Sequence, residues 1–136
     1  MQVRPKGMSL IELLIVVAVV GMLASIAYPS YSEQVRKAAR TEIAGLLFES
    51  AHHLQRHYAR TGSYADSAAV ATPLPPGTDH YSLTAARHAE GFTLTAVRRA
   101  SSLMADDPCG DFELDQRGLR SNPQALASDG LKCWGS

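Results

Sequence analysis

The chain is 136 residues long and balances 13 Lys and Arg against 13 Asp and Glu. Such a composition excludes a strongly basic field that gathers nucleic acid nonspecifically. Beyond an apolar N-terminus roughly a hundred residues remain, enough for one small domain with a modest core and too few for two. No internal repeat is present.

In chain order, a short leader, residues 1–7, carries Arg4 and Lys6 and no acid. The segment Met8 to Ala27 that follows is apolar and long enough to cross a bilayer, which takes about 20 residues. Basic residues on the leader side keep that side cytoplasmic and send the rest of the chain across. One carboxylate, Glu12, lies near the start of the segment. A charge within a membrane helix costs roughly 2.5–3.5 kcal/mol and usually marks a function, the plainer alternative being a signal anchor with a tolerated acid. No Ala-x-Ala cleavage pattern follows Ala27, and the inviting cleavage point is Gly7, ahead of the apolar run.

The residues Gly7-Met8-Ser9-Leu10-Ile11-Glu12 resemble the class III signal of type IV prepilins, with Met8 where that superfamily most often has Phe. Gly21 and Pro29 are similar to its helix-loosening Gly and kinking Pro. The resemblance implies that a prepilin peptidase cuts between Gly7 and Met8 and N-methylates Met8. Cleavage removes Arg4 and Lys6, lowering 13 basic residues to 11 against 13 acidic. It further implies that Glu12 pairs with the Met8 amine of its own or a neighbouring subunit and sets the assembly register, because a buried acid is tolerated when paired. Residues 8–29 then serve first as inner-membrane anchor and later as filament core, in partnership with other major and minor pilins and an inner-membrane assembly platform.

From Ser30 the chain continues as an amphipathic half-helix, residues 30–61. Tyr31, Val35, Ala39, Ile43, Leu46, Leu47, Leu54 and Tyr58 form an apolar stripe, with Arg36, Lys37, Arg40 and Glu42 on other faces. Gly62 is the stop signal, so one helix from about Ser9 to Arg60, bent near Pro29, is expected. Residues 62–79, with Pro73, Pro75, Pro76 and Gly77, read as a connecting loop. Three segments within 80–116 alternate with period two: Tyr81, Leu83, Ala85; Phe92, Leu94, Ala96; and Phe112, Leu114. They read as an antiparallel sheet packed on the stripe, with His88–Gly91 as a hairpin connection and Gln116-Arg117-Gly118 as a turn. The expected class is α+β, and the resemblance makes it the type IV pilin fold in a head of residues 62–136.

Cys109 and Cys133 lie in the exported part, where disulfides persist. Two unpaired thiols are the alternative; a bridge bounding residues 109–133 would match the C-terminal disulfide region of many pilins and add about 3 kcal/mol. Arg40-Thr41-Glu42, Asp107-Pro108-Cys109-Gly110 and Lys132-Cys133-Trp134 look most like minor pilins of the E type.

Other constellations are weighed against plainer readings. Glu49, His53 and His57 step by four, as metal-sharing residues do; residues bordering a sheet or a neighbouring subunit are the simpler account, with His52 facing away, His53 at the stripe edge and His57 beside it. Asp106, Asp107, Asp111, Asp115 and Asp129 suit calcium by chemistry, but their spacing matches no calcium loop, so solvated turn acids are expected. Neither metal nor cofactor is expected. Arg98, Arg99, Arg117, Arg120 and Lys132 offer a basic patch, and Trp134 a stacking face, for DNA. The interspersed acids weigh against nucleic acid as a partner. No Ser-His-Asp order stands out, so catalysis is not expected. The expected function is that of a minor type IV pilin in pilus assembly or priming, supporting twitching motility and adhesion. The alternatives are a type II secretion pseudopilin and a DNA-binding minor pilin of natural transformation, its contacts at Arg98 and Arg99.

Overall fold

The computed structural model describes residues 7–126 and 130–135. The leader residues Arg4 and Lys6, and Asp129, lie outside the described residues. The chain forms two compact units, dividing between Val35 and Arg36.

Helix α1, Leu10–Thr61, runs through both units. Its start is set by Ser9 and Glu12: the Glu12 amide donates to Ser9 Oγ and the Ser9 amide to Glu12 Oε2, each at 3.3 Å. This reciprocal pair is a capping box, which satisfies two of the amides left without partners at a helix start. The helix continues across Gly21 and Pro29. In the first unit the large apolar residues from Met8 to Tyr28 are all at least half exposed, so the chain's own fold covers none of them. The most apolar stretch reaches a mean hydropathy of 2.7, and none of it is buried.

In the second unit α1 buries Ala39, Ile43, Ala44, Leu47, Ser50, Ala51, Leu54 and His57. Against them lies a four-stranded antiparallel sheet in the order β1-β2-β3-β4: β1 Tyr81–Arg87, β2 Phe92–Arg98, β3 Phe112–Asp115 and β4 Arg120–Ser121. Register places Leu83 opposite Ala96 and Leu94 opposite Leu114. The face these residues share is buried on the helix together with Tyr81, Phe92, Phe112 and Met104. A short helix, α2 Gly130–Cys133, closes the described chain.

The α+β class, the long helix and the three strands agree with the sequence expectation; several side chains do not. Tyr31 is 70% exposed and Tyr58 42%, so the buried stripe is shorter than its periodicity suggests, and Ser50 and His57 lie within it. Tyr58 instead stacks on Tyr64 at the head's surface, ring centres 4.5 Å apart. Ala85 is exposed, because burial in β1 stops after Leu83. Strand β4 was not foreseen, two residues being too short to show a period.

The connecting loop, residues 62–79, is tied down by specific polar contacts. His57 is fully buried: its Nε2–H donates to the Ala65 carbonyl at 3.0 Å and its Nδ1 accepts from the Thr72 hydroxyl at 2.9 Å. Arg87 donates to the carbonyls of Tyr64 and Thr72 and pairs with Asp66 at 2.7 Å. At the loop's end Gly77 has φ +125°, and a Cβ there would overlap the Tyr81 carbonyl oxygen. Gly77→Ala is therefore expected to destabilise the head by about 2–4 kcal/mol, read as a drop in urea midpoint. An unchanged midpoint would contradict the steric argument.

Candidate functional site

Three regions bear on function: the N-terminal segment, the disulfide region, and a cleft beside the end of α1. In the first, Gly7, Met8 and Glu12 are adjacent and exposed, with the Glu12 carboxylate held to the Ser9 amide. Gly7 and Met8 thus lie just outside the helix, which begins at Leu10.

The disulfide region is built around two aspartates. Asp107, fully buried, receives Arg40 through both carboxylate oxygens, the Nε bond being 3.0 Å, with Arg36 Nη1 3.8 Å away. Its Oδ2 also accepts the Cys109 amide at 3.2 Å. Arg36 donates to exposed Asp106 at 3.3 Å. Arg36 and Arg40 therefore face the head, and Asp107 is no solvated turn acid; this pair joins helix and sheet loop across 67 residues of sequence. Cys109 and Cys133 are bridged, with Cα atoms 5.7 Å apart, beside a ring contact of Phe112 with Trp134 at 5.1 Å.

Arg98 belongs to the same framework. Its Nε bonds Asp111 Oδ1 at 3.2 Å, and its Nη1 donates to the carbonyls of Ala105 and Asp107. Asp111 in turn holds Gln124 at 3.1 Å and Asn122, which accepts Trp134 Nε1–H at 2.6 Å. Arg99 is exposed, and its side chain donates to the Thr78 carbonyl at 2.9 Å. Arg117 pairs with Asp115 at 3.0 Å, while Arg120 and Lys132 are exposed. Among the described residues, ion pairs neutralise Arg36, Arg40, Arg87, Arg98 and Arg117 and leave Lys37, Arg56, Arg60, Arg99, Arg120 and Lys132 without a carboxylate within 4 Å.

The cleft, of about 540 Å³, is lined by His53, Arg56, Ala59, Arg60 and Thr72. The three histidines do not converge: His57 is buried, His53 lies 3.7 Å from Glu49, and His52 faces solvent. Among the described residues no group of three His, Cys, Asp or Glu side chains is placed to share a metal. Sequence periodicity marked His53 but not its two arginine neighbours; their i and i+4 spacing was the available signal.

Two carboxylates are held below their ordinary range. The Thr72 amide, then Arg87, lowers Asp66. At Asp115 burial acts to raise the value, but bonds from the Leu119 amide and from Arg117 outweigh it. Burial pushes the Tyr81 phenol well up. A depressed folded value contributes stability above the unfolded carboxylate value of about 3.9, lost as pH falls through the folded value. These two carboxylates should hence make thermal melts fall as pH drops below about 4; a midpoint rising through that range would contradict these contacts.

Similarity to known proteins agrees with this architecture. The prokaryotic N-terminal methylation motif matches residues 4–28. The family described as "Type IV minor pilin ComP, DNA uptake sequence receptor" matches residues 29–113, more than half of the chain. The type IV major alpha-pilin of Moraxella bovis is 48% identical over 42 residues, 31% of this chain and 26% of that protein. The type IV major pilin PilE1 of Neisseria gonorrhoeae is 36% identical over 76 residues, 54% and 46% of the two chains. This chain thus spans from a quarter to a half of the length of such relatives. The non-core minor pilin PilV of Neisseria meningitidis shares the fold at 18% identity, with a TM-score of 0.53 over 65% of this chain and 86% of that one. The chain belongs to the ComP family of type IV minor pilins.

Proposed function

We propose that this protein is held in the inner membrane by the apolar half of α1, processed at Gly7–Met8, and built into a type IV pilus, where its head contacts DNA for uptake. The observation that carries the DNA reading is the family match over residues 29–113, a family described as a DNA uptake sequence receptor. The head's charge distribution is compatible with it. Among the described residues six exposed cations have no carboxylate within 4 Å, and phosphate contacts need such groups. Arg98 contributes by shaping the region beside Arg99 rather than by presenting a free guanidinium.

The test is fluorescence anisotropy of the full chain in detergent with labelled duplex DNA between 50 and 200 mM salt. The reading expects saturable binding that weakens steeply with salt. No binding at the lowest salt, with folded protein, would refute it.

A second reading, priming of assembly without DNA contact, is favoured by the exposed apolar residues from Met8 to Tyr28. It expects a deletion strain to lose filaments, whereas the DNA reading expects filaments to persist and transformation to fall. Loss of protein secretion instead would point to a type II pseudopilin.

A further inference from the structure

The cleft beside the end of α1 has features of a built anion site. Arg56 and Arg60 are one helical turn apart, about 5.4 Å along the axis, and both line it. Arg56 Nη2 donates to His53 Nδ1 at 2.8 Å, which ties this guanidinium to a second lining residue and leaves its other N–H groups available. Ala59 between them is small and keeps the space open. The far wall is Thr72, whose position is set three ways: by the buried His57 ring, by the Asp66 carboxylate accepting its amide at 2.8 Å, and by Arg87 on its carbonyl.

The neighbouring acids do not cancel the two cations. Asp66 is taken up by Arg87 and by the Thr72 amide. Glu49, 68% exposed, lies one turn away against His53. A cleft of two unpaired guanidinium groups with a fixed wall suits a compact dianion or a phosphodiester, because the guanidinium fork matches phosphate oxygens.

We infer that the cleft lined by His53, Arg56, Ala59, Arg60 and Thr72 takes a backbone phosphate of bound DNA. The inference rests on the DNA reading above and locates one of its contacts. Such a contact positions the duplex and carries no sequence information. Losing it weakens binding to every sequence alike and flattens the salt dependence by about one unit of slope per phosphate.

The experiment compares the full chain in detergent with Arg56→Gln, Arg60→Gln and the double variant. It uses labelled duplexes of two unrelated sequences between 50 and 200 mM salt, and circular dichroism checks the fold. Arg56→Lys/Arg60→Lys tests rescue by charge, and Gln55→Ala, an exposed neutral position on the same helix, is the control. The expected result is about 10-fold weaker binding by the double Gln variant on both sequences, with a salt slope lower by about 1. The Lys pair should restore most of it, and the control should match the wild type. Wild-type affinity and slope in the double Gln variant would overturn this inference alone. Weaker binding at unchanged slope would also overturn it, since the cleft would then act through shape. A wild-type protein that binds anionic lipid vesicles through these arginines but no DNA would overturn both this inference and the DNA reading.

Discussion

Asp107→Ala is expected to destabilise the head by about 3–5 kcal/mol. The side chain is fully buried, both its oxygens are bonded to Arg40, and one also accepts the Cys109 amide. Truncation removes this carboxylate, and both of its bonds, from the Arg40 guanidinium, which is only 13% exposed. In a domain of roughly a hundred residues each kcal/mol shifts Tm by about 4–8 °C, so the melting point should fall by at least about 12 °C. Replacing both partners with apolar residues, Arg40→Met with Asp107→Leu, should cost less than the two single changes summed, because the bonds between them are then lost once rather than twice. Urea denaturation of the four proteins measures the coupling. Strictly additive effects would show that the pair is not a unit.

The second large effect concerns Glu12, which has two roles that can be separated. In the structure its carboxylate caps the helix by accepting the Ser9 amide. In the proposed filament it pairs with the methylated Met8 amine of this or a neighbouring subunit. Glu12→Gln keeps a side chain able to complete the capping box and removes the charge. It should insert into the membrane normally, since a neutral residue is cheaper there, yet reach sheared filaments at less than about a tenth of the wild-type level, the loss of roughly 1.4 kcal/mol or more from the pairing. Ser9→Ala removes a helix cap worth about 1 kcal/mol and leaves the charge, so it should assemble almost normally. If the Ser9 variant fails and the Glu12→Gln variant assembles, capping rather than charge pairing governs assembly.

Much of this was legible in the sequence because the informative patterns are local. The apolar run and its later three- and four-residue steps locate α1 to within a residue of its observed ends, Leu10 and Thr61. Alternation at Phe92, Leu94 and Ala96 and at Phe112 and Leu114 places the two inner strands correctly, since one face of each is fully buried. Edge strand β1 is less regular, and Ala85 shows why: a small residue signals little about which way it faces. What the sequence hid depends on partners far along the chain. Arg36 and Arg40 look like a solvated helix face until Asp107 closes on them. His57 looks like a flanking residue until Ala65 and Thr72 supply partners for both ring nitrogens, which makes its burial tolerable. The capping box was readable in Ser9-Leu10-Ile11-Glu12, but an acid inside a membrane segment drew attention to charge alone. Arg98 stood out as a surface cation, whereas Asp111 and two carbonyls turn it into part of the framework under Trp134.

The most direct test of the central claim, that this chain is processed and built into a pilus as a minor subunit, is mass spectrometry of sheared surface filaments alongside the membrane fraction. The account predicts a small amount of the protein in filaments, beginning at N-methylated Met8 and carrying the Cys109–Cys133 bridge. Protein that retains residues 1–7 in every fraction, or processed protein confined to the membrane, would contradict it.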